Sequence, residues 1–334
     1  MNVKEFKKII SSKNEQELPG LMAAARQETL KYFGRVVQLY TPLYLSNECV
    51  NDCVYCGFHR QAGIKRVTLS SVQVLKEARS LKKKGFQHIL LLTGEAPAAV
   101  PLDYLEEIAA KMKELFVSVA IEIYPLEEKG YRRLVKAGVD GLTIYQETYH
   151  KATYKKVHPR GPKSDFSWRD QAPARAARAG LRKIGVGFLL GLYDWRYEAL
   201  KLAEHLNLLL KEHWQTQFQL SFPRLNPAET GYQTGYPVSD KEFIRLFCAF
   251  RLLFPQIGFV ISTRERPEFR DKLLRFGVTQ MSAGSKTSPG GYTLGLKSGQ
   301  QFEIADHRSP QKITEVLLKA GYDPVWKDWE RTLT

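Results

Sequence analysis

Two hydrophobic rhythms alternate along the chain. Short apolar runs bounded by turn residues recur at Leu39–Ser46 (LYTPLYLS), His88–Gly94 (HILLLTG), Val119–Pro125 (VAIEIYP), Gly141–Glu147 (GLTIYQE), Ile184–Leu190 (IGVGFLL), Gln219–Leu225 (QLSFPRL), Gly258–Thr263 (GFVIST) and Thr279–Ser285 (TQMSAGS). Rich in β-branched and aromatic residues, they read as buried strands. Between them lie longer segments with apolar residues at helical spacing and charged opposite faces, such as SVQVLKEARSLKKKG, DYLEEIAAKMKEL, WRYEALKLAEHLNLLLKEHW and SDKEFIRLFCAFRLLF. Several open on Ser or Asp, the residues that cap helix N-termini, and others run into Gly.

Eight strands alternating with helices predict an α/β fold, a (β/α)₈ barrel over residues 35–334 with a C-terminal tail, preceded by a helical extension over 1–34. A doubly wound sheet is the weaker reading, because no G-x-G-x-x-G follows the first strand. Barrels carry their chemistry at the C-terminal ends of the strands. There the sequence places the cysteines of the first strand's loop, Thr93-Gly94-Glu95, Glu122 and Tyr124, Gln146 and Glu147, Arg224, Arg264, Ser282 and Ser285. An acidic group inside a run as apolar as VAIEIYP is costly unless it meets a partner.

Composition narrows the class. At 334 residues, 43% hydrophobic and 25% charged, this is an ordinary globular chain. Nothing approaches the ~18 uninterrupted apolar residues of a membrane span. The N-terminus, MNVKEFKKII, is charged from its first turn and is no secretory signal. The expected location is the cytoplasm, where thiols stay reduced. A formal charge of +15 admits an anionic partner. The lysines lie on helix faces (KEFKK, SLKKKG, KMKEL) without the interleaved aromatics of a nucleic-acid groove, so nucleic acid is not the expected partner.

Of four cysteines, Cys49, Cys53 and Cys56 crowd into one loop as C-x₃-C-x₂-C, whereas Cys248 lies within an apolar helix and reads as core. Structural zinc takes four ligands and an ordinary iron–sulfur site four thiolates, so three leave one position open. His59, three residues past Cys56, could instead close a Cys₃His zinc site. A zinc-bearing nucleic-acid-binding protein is thus a distant alternative.

The cysteine loop, with Tyr55 in the aromatic slot, resembles the signature of radical S-adenosylmethionine (SAM) enzymes. The resemblance extends along the chain through PLYLSN, CVYCGF, YQETY, HPRGPKSDF, GVGFLLGLYDWR, SFPRLNP, STRE, SAGSKTSPGGY and PVWKDW. These strings are similar to the 2-iminoacetate synthase family, the tyrosine lyases of anaerobic thiazole (thiamine) biosynthesis. A relative that makes carbon monoxide and cyanide for hydrogenase maturation shares many of them but carries an additional C-terminal cysteine cluster, and no cysteine follows Cys248 here. A tryptophan lyase of the same superfamily is a weaker alternative.

The resemblance implies a [4Fe–4S] cluster held by Cys49, Cys53 and Cys56, with SAM on the open iron. It implies SAM contacts at Gly94, Glu95, Glu147, Arg169 and Tyr55, and a tyrosine site at Arg264, Ser282 and Tyr44. It also implies cleavage of the Cα–Cβ bond of L-tyrosine to 2-iminoacetate (dehydroglycine) and p-cresol. The implied partners are a one-electron donor such as flavodoxin or ferredoxin, and a thiazole synthase with its sulfur-carrier protein. HPRGPKSDF, too polar and Pro/Gly-rich for a helix, reads as an active-site loop in which His158, Arg160 and Asp165 have no individual assignment. Nor does the sequence choose among Glu122, Tyr124 and a histidine as the group that takes the phenol proton when the fragment departs. Glu48 before the first cysteine and His59-Arg60 after the Gly-Phe depart from the family pattern without removing a ligand, and the N-terminal arm is shorter than in many relatives.

Overall fold

The computed structural model describes residues 1–326. The last three residues of the PVWKDW string lie outside the described residues.

Eight parallel strands form the barrel: β1 (Val36–Ser46), β2 (His88–Thr93), β3 (Ser118–Glu122), β4 (Gly141–Thr143), β5 (Lys183–Gly187), β6 (Gln217–Ser221), β7 (Gly258–Ile261) and β8 (Gln280–Ser282). Neighbours pair in sequence order, and β1 pairs with both β8 and β2, which closes the sheet. A ninth strand, β9 (Asp323–Val325), adds to the lower end of β1, a pairing the apolar runs do not reveal. The helices before the barrel are α1 (Val3–Ser11) and α2 (Leu18–Phe33). Those after β1, β2 and β3 are α3 (Ser71–Lys83), α4 (Leu102–Leu115) and α5 (Glu128–Ala137). Three short helices follow β4: α6 (Lys151–Val157), α7 (Phe166–Asp170) and α8 (Ala172–Arg178). Then come α9 (Trp195–Glu212), α10 (Asp240–Leu253), α11 (Pro267–Leu274) and α12 (Pro310–Lys319).

All eight apolar runs form strands. Most stop short of the predicted C-terminal ends, because residues such as Ile144–Glu147 leave the sheet at the rim and become the loops that carry the site. Local chemistry sets the helix starts: Ser70 with Gln73, and Ser239 with Glu242, form reciprocal capping boxes at α3 and α10. Helices α1 and α2 cover α10, with Phe6 edge-on to Phe250 at 5.0 Å between centroids. Cys248 is fully buried in α10 as a core residue. One continuous apolar cluster fills the space between strands and helices, so the rim residues stand on a rigid scaffold. Among the described residues no helix is long and apolar enough to cross a membrane.

Candidate active site

Two adjoining cavities open at the C-terminal mouth of the barrel. One, about 580 Å³ to its open mouth, is lined by all three loop cysteines with Gly94, Glu95 and Arg169. The other, about 860 Å³, is lined by Tyr44, Tyr55, Arg264, Ser282 and Ser285 among others. Glu122, Glu147, Lys163, Cys56, Leu92 and Gln301 line both and form the wall between them.

On the cysteine side the backbone is clamped from above by residues 157–163. Asp52 N–H donates to the Arg160 carbonyl at 3.2 Å and Val54 N–H to the Val157 carbonyl at 3.1 Å. Asn51 Oδ1 accepts from Lys163 N–H at 2.9 Å, while Asn51 Nδ2 donates to Glu95 at 2.8 Å. Gly161 makes this approach possible: its φ is +93°, and a Cβ there would stand 2.3 Å from Asn51 Oδ1. Gly94 plays the matching part from below, since a Cβ would meet the Glu48 carbonyl oxygen at 2.2 Å and Cys49 Cβ at 3.1 Å. His158 is fully buried, with Nδ1 2.9 Å from the Tyr154 carbonyl. A carbonyl only accepts, so Nδ1 carries the proton and Nε2 accepts from the Tyr55 hydroxyl at 2.7 Å. Burial, with Lys163 and Arg169 nearby, holds His158 well below the ordinary histidine range and keeps it neutral.

The charges of this side are paired. Glu147 lies at φ +70°, the one non-glycine residue with positive φ among the described residues, and that bend aims its carboxylate at Lys163 (2.7 Å) and Arg169 (3.5 Å). Arg169 Nε also donates to the Tyr145 carbonyl at 2.7 Å. Burial raises the Glu147 carboxyl, but Lys163 and Arg169 outweigh it and hold the group below its usual range. Buried Glu198, on α9, fixes the bend from behind by accepting from Tyr149 N–H at 2.6 Å and from the Thr148 hydroxyl. Lys163 and Asn51 are site residues that the sequence reading missed. The only signal for Lys163 was the unusual polarity of HPRGPKSDF, and for Asn51 its place between Cys49 and Cys53.

The other cavity is built differently. Glu265 is taken by Arg224, which also binds Asp240 at 2.9 Å, so Arg224 belongs to a structural network and does not line either cavity. Arg264 is thereby left without an ion pair or a side-chain hydrogen bond among the described residues, its guanidinium stacked 3.3 Å from the Phe302 ring centroid. Burial pushes Arg264 below the ordinary guanidinium value. Ser282 Oγ already accepts from Thr263 N–H at 3.1 Å, and Tyr44 donates to Gln301 at 2.6 Å. Ser285 Oγ, buried in the same cavity, has no hydrogen-bond partner among the described residues.

The donor set fits a cubane cluster with a zwitterionic cofactor better than a single ion. Burial pushes the thiols of Cys53 and Cys56 up, so they are neutral until a metal takes the proton's place. His59 does not line the cavity that the three cysteines share, which argues against the Cys₃His zinc site. The paired carboxylates and cations around the thiols offer both signs to an amino acid head group.

Comparison with known proteins agrees. Residues 43–206 match the Radical SAM superfamily and residues 221–323 the Biotin and Thiamin Synthesis associated domain. The 2-iminoacetate synthase of Escherichia coli (strain K12) is 43% identical over 317 residues, 95% of this chain and 84% of that protein. The chain belongs to the 2-iminoacetate synthase family. It is therefore a radical SAM lyase, of a class that works with a [4Fe–4S] cluster and SAM. Among solved structures, the FeFe-hydrogenase maturase HydG from Carboxydothermus hydrogenoformans matches with a TM-score of 0.93 and 36% identity over 98% of this chain and 76% of that one. Methylornithine synthase (PylB), 21% identical with a TM-score of 0.78, shares the fold.

Proposed function

We propose that the cavity holding Arg264 binds L-tyrosine and that this 2-iminoacetate synthase family member cleaves its Cα–Cβ bond to 2-iminoacetate and p-cresol, supplying the thiazole of thiamine. The observation that carries the reading is the unpaired guanidinium of Arg264 in a cavity sharing a wall with the cysteine side. A half-buried cation without a counter-ion is costly, and an incoming carboxylate relieves that cost. Ser285, with its free hydroxyl, and Ser282 beside it supply further polar contacts. Tyr44, fixed by Gln301 and edge-on to Phe58, forms a rigid aromatic wall.

Cys49, Cys53 and Cys56 would hold the cluster. Gly94, Glu95, Glu147, Arg169 and Tyr55 surround the space beside it for SAM. The cluster and SAM together would supply the radical chemistry that removes one hydrogen atom from the substrate. The protein's share is to hold the two ligands against one wall, to exclude water with Tyr40, Tyr44, Tyr145 and Phe302, and to keep every other charge compensated. The reading calls for a cytoplasmic setting, a protein electron donor such as flavodoxin or ferredoxin, and transfer of product to a thiazole synthase working with its sulfur carrier.

Anaerobic reconstitution with iron and sulfide, followed by reductant, SAM and L-tyrosine, tests the proposal. Formation of p-cresol with 5′-deoxyadenosine is expected. Deoxyadenosine from L-tryptophan and none from tyrosine would favour the tryptophan reading. Zinc without iron in the purified protein would overturn both.

A further inference from the structure

We infer that Glu122 receives the substrate's ammonium group and takes a proton from it, leaving the neutral amine from which a hydrogen atom is abstracted. The inference rests on the tyrosine reading above and adds a residue and a proton path to it.

Glu122 ends β3, opposite Leu92 of β2, inside a strand whose neighbours are core residues. Its carboxylate makes no hydrogen bond or ion pair among the described residues and faces the wall shared by the two cavities. The other charged groups of the mouth are engaged: Glu147 with Lys163 and Arg169, Glu95 with Asn51. Only Glu122 and Arg264, of opposite sign, remain uncommitted around the larger cavity. One unpaired cation and one unpaired anion in a single cavity are the complement of an α-amino acid, whose carboxylate and ammonium leave one carbon. Because Glu122 alone of the two also lines the cysteine-side cavity, a substrate held by both presents its nitrogen toward the SAM space and its side chain away from it.

The competing proton acceptors are occupied. Tyr124 donates to the Val100 carbonyl at 2.6 Å, both ring nitrogens of His158 are bonded, and His88 lies on Gln38 at the start of β2. The groups facing Glu122 are Glu147, Arg264, Arg169 and Lys163, with the neutral phenols of Tyr40, Tyr44 and Tyr145. Burial and then Glu147 push Glu122 up to about 7, against the pull of the three cations, so it can exchange a proton with a desolvated amine near neutrality. In the transfer an ammonium N–H bond breaks with its electron pair left on nitrogen and a carboxyl O–H bond forms; no oxidant or reductant is consumed.

The test compares binding of L-tyrosine and 3-(4-hydroxyphenyl)propionate, which carries hydrogen in place of the ammonium, to the anaerobically reconstituted enzyme with SAM. The unaltered enzyme should prefer tyrosine by about tenfold or more, the scale of a charge-assisted hydrogen bond. Glu122→Gln should bring that ratio close to one while leaving iron content and SAM affinity within about twofold, and Glu122→Asp should retain the preference. In the unaltered protein the ratio should fall several-fold from about pH 8 to about pH 6, as the free carboxylate is protonated. That measurement decides the matter even should Glu122→Gln fail to fold. An undiminished preference in Glu122→Gln, a ratio constant across that pH range, or an equal loss of SAM affinity would overturn the role. Turnover of tyrosine by the unaltered enzyme separates the two ideas: turnover with an unaltered preference removes Glu122 alone, and no turnover removes the substrate reading with it.

Discussion

On the cysteine side of the barrel mouth Glu95 and Glu147 face named partners and the backbone is clamped from above and below, whereas the Arg264 guanidinium of the other cavity and the Glu122 carboxylate of the shared wall are free among the described residues. Burying a charge costs several kcal/mol unless it is compensated. The paired side meets that cost within the protein and is preorganised. The unpaired side leaves it to be met by a ligand, which couples affinity to charge recognition. A cofactor bound in every cycle suits the first arrangement, and a substrate that must be discriminated suits the second.

The contrast can be broken from either side. The largest effect is expected from Cys53→Ser, which removes one of three thiolates: iron content and turnover should fall below detection, while the Arg264 cavity persists. Gly94→Ala should come next. Its new methyl meets a backbone oxygen at 2.2 Å that cannot swing away, so the cysteine loop must shift, with several-fold lower iron incorporation and a stability loss of about 2 kcal/mol or more, read by metal analysis and thermal melting. His158→Phe should do least. It strips the Tyr55 hydroxyl of its acceptor and the Tyr154 carbonyl of a donor, costing about 1–2 kcal/mol in a melting experiment, with tyrosine affinity unchanged within about twofold.

Much of this architecture was legible in the sequence because it is written in local pattern. Eight apolar runs and the capping residues between them specify the barrel, and the barrel assigns Cys49, Cys53, Cys56, Gly94, Glu95 and Arg264 to one face. Less legible were contacts whose partners are far apart in sequence: Asn51 with Lys163 spans 112 residues, and no periodicity encodes it. The competition for Glu265 was equally hidden. STRE places Arg264 beside Glu265, yet Arg224, 41 residues upstream of Glu265, takes that carboxylate and so frees Arg264 for a ligand. Glu122 was visible as an acid in an apolar strand, but only the fold shows that it has no protein partner. The docking of β9 depends on three residues too few to carry a pattern of their own.

The division of labour between the cavities is tested most directly by measuring SAM and L-tyrosine affinities side by side in the reconstituted Arg169→Gln and Arg264→Gln variants. Removing one member of a buried charge contact costs a bound ligand about 2–5 kcal/mol. Arg264→Gln should therefore lose tyrosine binding by about thirtyfold or more while SAM stays within about threefold, and Arg169→Gln should show the reverse. Equal loss of both ligands in either variant, or loss of SAM on changing Arg264, would contradict the account.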